Sequence, residues 1–209
     1  MKKYIGETKY AATSLIDLIW ADYESLAALN SELKELTSEF EVRYQVFIAN
    51  EFHPAANYYH AQMAKVYQGM AKPKAELEKQ IQDVSESIDA KSASIAALSG
   101  ALLQLAKQCI SLRYGKPQNA PDGADISGVL VKDIIIEGRN QSIHYENPKE
   151  ISENVTKLFK ALDTIRNDGN TCDAKSQTNF AFEVVKLLGW RTFSGFEAHL
   201  LSIKSKNGS

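Results

Sequence analysis

The sequence predicts an all-α protein: a long antiparallel, coiled-coil-like helical hairpin followed by a compact helical bundle. Three observations carry that reading. Only 5 prolines and 11 glycines punctuate 209 residues. Apolar residues recur at alternating threes and fours, the period of one helical face. Two segments hold that spacing far beyond the three or four turns of an ordinary globular helix.

The first long helix is expected over residues 8–50. Leu15, Ile19, Tyr23, Leu26, Leu29, Leu33, Leu36 and Phe40 form its apolar stripe, and Glu32, Lys34, Glu35 and Glu39 lie mostly outside it. A break follows at ANEFHPAAN, because Pro54 disfavours helical geometry at His53 and suits the first turn of a new helix. That second helix, 54–70, is rich in Tyr and Ala. Pro73 then starts the most regular stretch of the chain. Leu77, Ile81, Val84, Ile88, Ile95, Leu98, Leu102, Leu105, Cys109 and Leu112 alternate by fours and threes, with Lys91 at one heptad position. This predicts a helix over 74–114, ended by Gly115 and Pro117. Antiparallel pairing of the two long helices buries both stripes, and it is favoured over a parallel coiled-coil dimer because two long amphipathic helices already exist in one chain.

The loop GKPQNAPDGADIS carries two prolines and two glycines. The β-branched run that follows reads as a helix capped near Asp125 or Ser127, since Leu130, Val131, Ile134 and Ile135 share a helical face. Pro148 is expected to open the next helix, with Ile151, Val155, Leu158, Phe159 and Leu162 as its buried stripe. RNDGNTCDAKSQT reads as a flexible connection, residues 179–188 and 194–203 as two final helices around GWRTF, and the polar tail 204–209 as disordered. The domains expected are 1–92, a helical extension partly shared with the long helix 74–114, and 93–205, the helical bundle.

Hydrophobic residues at 44% and charged residues at 24% are typical of a soluble globular protein. A net charge of −2 gives no overall electrostatic reason to bind nucleic acid, so any RNA must meet a local basic cluster. Cys109 on an apolar stripe and Cys172 in a polar loop suggest neither a disulfide framework nor a metal site. Glu7, Lys9 and Asp17 interrupt the N-terminal segment, which is neither a signal peptide nor a membrane span. The chain reads as cytoplasmic.

Familiar phosphate-loop, dinucleotide, zinc and nucleophile-elbow signatures are absent from the sequence. His53 and His60 flank Pro54 without acidic or cysteine partners, which suits a helix boundary better than a metal. His199 reads as packed or solvent-facing, and Tyr58, Tyr59 and Tyr67 read as core aromatics rather than a base-stacking platform. No cofactor or metal is expected.

What remains is EGRNQSIHYENP, residues 137–148. Arginine offers a permanent charge and a planar fork suited to phosphate oxygens. Histidine can take or give a proton near neutrality. On a continuous helix Asn140 and His144 share a face, while Arg139 stands about 140° round from His144. A helix loosening after Asn140, or a second copy of the motif, would bring them to one phosphate. A plain helix C-terminus, where Arg, Asn and His meet open carbonyls, accounts for the same residues.

Arg139-Asn140-x-x-x-His144 resembles the R-x(4–6)-H motif of the HEPN superfamily (higher eukaryotes and prokaryotes nucleotide-binding), in which a polar residue, often Asn, follows the arginine. The resemblance spans residues 93–165, an apolar helix before the motif and an amphipathic one after it. The first ninety residues do not match the minimal domain and look like an addition. It implies a HEPN-like helical bundle and a metal-independent endoribonuclease acting as a toxin or phage-defence effector. It also implies a homodimer in which two motifs make a composite cleft. His144 would be the general acid/base, Arg139 would hold the scissile phosphate, and Asn140 would position the phosphate or His144. RNA would be cut to 2′,3′-cyclic phosphate and 5′-hydroxyl ends, with an antitoxin or defence-system protein as a further partner and no membrane involved. Lys107, Arg113, Lys132, Lys149, Lys157 and Lys160 are candidates for the basic surface, nearly offset by Asp133, Glu137, Glu146, Glu150 and Glu153. The alternative is a non-catalytic helical interaction module, in which the hairpin supplies a binding surface and the HEPN-like bundle only dimerises or binds a nucleotide.

Overall fold

The computed structural model describes residues 2–51, 74–166 and 171–203. The helix expected at 54–70, with His53, His60 and the three tyrosines, and the tail from residue 204 lie outside the described residues. The described residues form an all-α protein: α1 (Lys2–Glu51), α2 (Lys74–Tyr114), α3 (Val131–His144), α4 (Glu153–Arg166), α5 (Ala181–Leu187) and α6 (Phe193–Ser202). A single 3-10 turn, Pro117–Asn119, and a ribbon of two-residue strands, β1 (Asp125–Ile126) and β2 (Val129–Leu130), join α2 to α3. Packing divides the chain into two units, Met1–Asp22 with Ala93–Ser209, and Tyr23–Ser92. Both long helices therefore contribute to both units.

In the first unit α1 and α2 run antiparallel, as the two stripes predicted. The Tyr4 hydroxyl donates to Gln108 Oε1 at 3.0 Å, and Ser94 Oγ donates to Asp22 Oδ2 at 3.1 Å. Low numbers on one helix thus meet high numbers on the other. Ile5, Ala12, Ile16 and Ile19 bury the α1 face, so the helix begins at Lys2 rather than near Thr8; Gly6, a poor helix former, hides that first turn in the sequence. On α2, Ile95, Leu102 and Cys109 are buried as the stripe predicts, but so are Leu103, Ala106 and Ile110 on an adjoining face, while Leu112 is exposed. α2 is the described helix long and apolar enough to cross a membrane by length and composition. Burial of those six side chains gives its hydropathy a use inside the bundle. In the second unit the α1 residues Leu26, Leu29, Leu33, Leu36 and Phe40 are only half-buried, and Leu77 of α2 is the one fully buried side chain among the described residues.

Two local expectations are corrected. The helix expected to be capped at Asp125 or Ser127 starts at Val131, and those two residues belong to a hairpin. Ser127 (φ 52°) and Gly128 (φ 91°) form its two-residue turn, with the Gly128 amide donating to Asp125 Oδ1 at 2.7 Å. Paired positive φ values match the right-handed twist of the strands. Backbone carbonyls then replace a side-chain cap: the Val131 amide donates to Ala124 O (2.9 Å) and the Lys132 amide to Asp122 O (3.3 Å).

Pro148 does not open a helix. It follows Asn147 in a turn closed by the Glu150 amide on Asn147 O at 2.9 Å, with Asn147 Oδ1 accepting from the Lys149 amide at 3.3 Å. Proline's fixed φ suits the second position of such a turn as well as a helix start, and Asn before it selects the turn. α4 waits for Ser152, whose Oγ accepts from the Val155 amide at 3.3 Å. Val155, Leu158, Phe159 and Leu162 are its buried stripe, and Ile151 is buried ahead of it.

α3 crosses α5 closely at Gly138. A Cβ there would stand 2.9 Å from Val184 Cγ1, nearer than side-chain carbons approach. The glycine lets α3 sit tight in the bundle and fixes which way the following residues face. α5 is shorter at both ends than the expected 179–188, and α6 is shifted one residue towards the N-terminus, where Thr192 Oγ1 caps it by accepting from the Gly195 amide.

Candidate active site

The stretch Arg139–His144 closes α3 without a break, and its six side chains divide among three surroundings. Arg139 and Asn140 face α2. The Arg139 Nε donates to Gln104 Oε1 at 2.5 Å, and the Lys107 ammonium donates to Asn140 Oδ1 at 3.1 Å. Asn140 Nδ2 donates to Glu137 Oε2 at 3.2 Å. Gln104 and Lys107 stand three apart on α2, so one face of that helix presents both to α3.

Gln141 and Ser142 turn inward and are buried. The Gln141 amide clamps the loop before α5, donating to Thr178 O at 2.7 Å and accepting from the Phe180 amide at 3.0 Å. Ser142 Oγ donates back to Arg139 O at 2.8 Å. Gln141 and Ser142 are therefore structural. Ile143 is exposed, an apolar side chain at 48%.

His144 ends the helix beside the Asn147–Glu150 turn. Its Nδ1 lies 2.7 Å from Glu150 Oε2, and Asn147 Nδ2 donates to Glu150 Oε1 at 2.7 Å. Those two contacts, Asn147's first and then His144's, hold the Glu150 carboxyl below its usual value. The turn thus aims a charged carboxylate at one ring nitrogen, while Nε2 makes no hydrogen bond among the described residues.

The two halves of the site do not meet within one chain. The helix stays regular from Arg139 to His144, so the two side chains keep the separation of about 140° that five helical steps impose. Arg139 is tied to Gln104 on one side and His144 to Glu150 on the other. The electrostatics differ too. Burial, then the nearby Arg139, push the Lys107 ammonium below its usual value, and Glu137 opposes them. Burial also lowers the Arg139 guanidinium, which still carries its charge at any working pH.

Of the basic residues expected around the motif, Lys107 joins it. Lys132 is held by Ala120 O and Asp122, Lys157 pairs with Glu153 at 2.8 Å, and Arg113 lies 5.3 Å over the Tyr114 ring. A shallow cleft of about 360 Å³ opens between α3 and α4, lined by Asp133, Glu137, Asn154 and Lys157 among others. Gln104 and Asn147 were not singled out by sequence, and Glu150 was weighed only as a charge offsetting nearby lysines. The signals for them were the three-residue spacing to Lys107 and the Asn-Pro turn that begins three residues after His144.

Among the described residues no group of three His, Cys, Asp or Glu side chains is placed to hold a metal ion. Cys109 and Cys172 are both buried, Cys172 despite its polar neighbours. Burial pushes the Cys109 thiol up to about 11, with a hydrogen bond from Thr8 opposing, so it stays protonated and unreactive. His199 accepts from the Trp190 indole in the core rather than taking part in the motif. No protein-family model, curated protein or solved structure compared with the chain gives a match.

Proposed function

We propose that the chain is a metal-independent endoribonuclease of HEPN type, a cytoplasmic toxin or phage-defence effector that cleaves RNA at a composite homodimer site. The observation that carries this reading is the hold on His144: a carboxylate on Nδ1 at 2.7 Å and an open Nε2. A general base needs one ring nitrogen oriented and the other free to meet the substrate.

In this reading Nε2 takes the proton from a ribose 2′-hydroxyl as the 2′-oxygen attacks the adjacent phosphorus. The P–O5′ bond breaks and the leaving oxygen takes up a proton, giving a 2′,3′-cyclic phosphate and a 5′-hydroxyl. No water is consumed. Arg139 holds the phosphate and offsets the charge that builds on its oxygens. The regular helix keeps Arg139 and His144 of one copy apart, which favours Arg139 of one protomer working with His144 of its partner. The exposed Ile143 beside them suits a second copy as cover. An antitoxin or defence-system protein would regulate the dimer.

A second reading, a non-catalytic helical dimerisation or binding module, is favoured by one observation. Arg139 and Asn140 already have partners on α2, in Gln104 and Lys107. Labelled RNA incubated in EDTA with wild type, Arg139→Ala and His144→Ala separates the two. The nuclease reading expects cleavage by wild type and a loss of about 10²–10⁴-fold in His144→Ala, the usual contribution of a proton-transfer group. Cleavage undiminished in both variants, or absent from wild type on every RNA tried, removes it.

A further inference from the structure

Lys107 and Arg139 are two cations brought together by different helices, partly buried, and neither makes a direct ion pair among the described residues. Among the described residues no carboxylate lies within 4.0 Å of either charge. Their hydrogen bonds go to neutral side-chain oxygens, Asn140 Oδ1 at 3.1 Å and Gln104 Oε1 at 2.5 Å. Gln104 takes only the Nε edge of the guanidinium, so the two Nη groups of its fork keep their donors, and the ammonium keeps two of its three. Like charges close together in a poorly solvated place repel, and the lowered Lys107 value reports that repulsion on top of burial. Glu137 is near enough to offset part of it but is engaged with Asn140. A folded chain holds such a pair at a cost in stability that an anion would relieve.

We propose that Lys107 of α2 and Arg139 of α3 form one two-cation phosphate site, with Asn140 between them fixing the ammonium. The inference takes from the nuclease reading the idea that Arg139 meets a phosphate, and adds a second charged residue from another helix. The ligand class is a doubly charged phosphate. An RNA phosphodiester carries one negative charge, and the pentacoordinate species formed by 2′-oxygen attack carries two. Two fixed cations therefore match the charge that develops better than the charge at rest, which is the condition for speeding the step rather than tightening substrate binding.

Inorganic phosphate is the probe, titrated calorimetrically into the full chain against chloride at equal ionic strength. Wild type should bind phosphate. Lys107→Gln should weaken that binding at least about tenfold, the usual loss for a charge-assisted contact, and Lys107→Arg should restore most of it. Lys175→Gln, an exposed lysine on the loop before α5, should bind as wild type does. Lys107→Gln should also unfold in chloride no earlier than wild type, since it removes an unpaired charge. Wild type without phosphate binding beyond chloride, or Lys107→Gln binding as tightly as wild type, overturns the site. Phosphate binding lost in Lys107→Gln in a protein that cuts no RNA leaves the site standing and the nuclease reading fallen. RNA cleavage without phosphate binding does the reverse.

Discussion

Two histidines close two helices of the same bundle and are held in opposite ways. His199, in the last turn of α6, is half-buried and accepts the Trp190 indole N–H on Nδ1 at 3.0 Å. Trp190 is fully buried, stacked edge-on against Phe196 at 4.8 Å, and its own carbonyl accepts from the Trp20 indole at 2.9 Å. Arg191 covers the Trp20 ring at 4.0 Å. Both indole N–H groups of this corner donate to acceptors inside the bundle. His144, at the end of α3, is 39% exposed and receives a carboxylate rather than an indole. Its neighbours Arg139 and Lys107 retain donors that the fold does not use. The aromatic corner spends its polar groups on stability, and the α3 face leaves its own available to a ligand.

The largest effect that tests this division is at Trp190. Trp190→Ala removes a buried indole and strands both His199 Nδ1 and the packing of Phe196. Truncations of this kind cost about 3–5 kcal/mol. Chemical denaturation should show that loss, while any RNA cleavage measured on folded protein at low temperature persists. An unchanged denaturation midpoint would mean that the corner is not where stability resides.

The fold was legible where one periodicity ran long. The α1 and α2 stripes announced helices and their pairing, because a heptad over many turns has few other uses. The same stripes did not announce depth of burial. Ile16 and Ile19 are fully buried, yet Leu29 and Leu33 on the same helix are half-exposed, since burial depends on what else packs there. Boundaries failed where one residue type serves two geometries, Pro148 as turn former and helix starter, or Ser127 as cap and hairpin residue. The motif was visible as Arg139, Asn140 and His144 because their chemistry is unusual. Lys107 lies 32 residues before Arg139 in sequence, and Gln141 looks the same on paper whether it clamps a loop or faces solvent. Only packing separates those roles.

A middle-sized effect sharpens the α3 side of the comparison. Glu150→Gln keeps a hydrogen-bonding group beside His144 Nδ1 and Asn147 but removes the charge. If Glu150 orients and supports the imidazole for proton transfer, RNA cleavage should slow about tenfold. The thermal midpoint should hardly move, because solvent screens an exposed ion pair and leaves it little net stabilisation. A fall in midpoint with unchanged cleavage would reassign the Asn147–Glu150–His144 chain to the stability side.

The smallest effect tests whether His199 belongs wholly to that side. Burial lowers the His199 imidazole, so the folded chain releases its proton more readily than the unfolded chain does. Above the unfolded value, about 6.5, both states are neutral and the Trp190 hydrogen bond is intact. As pH falls through that value the unfolded chain takes up the proton first, and stability declines until the folded imidazole is charged as well. One proton limits the slope to about 1.4 kcal/mol per pH unit, and partial exposure of the ring brings it below that limit. His199→Gln retains an acceptor for the indole N–H but does not titrate in this range. Its denaturation midpoint should therefore fall less than that of wild type between pH 7 and pH 5. Taking the difference between the two curves cancels the other histidines, and Glu150, held down among the carboxylates, responds at lower pH. Parallel curves would show that protonation of His199 is indifferent to folding, and the contrast between the two histidines would rest on His144 alone.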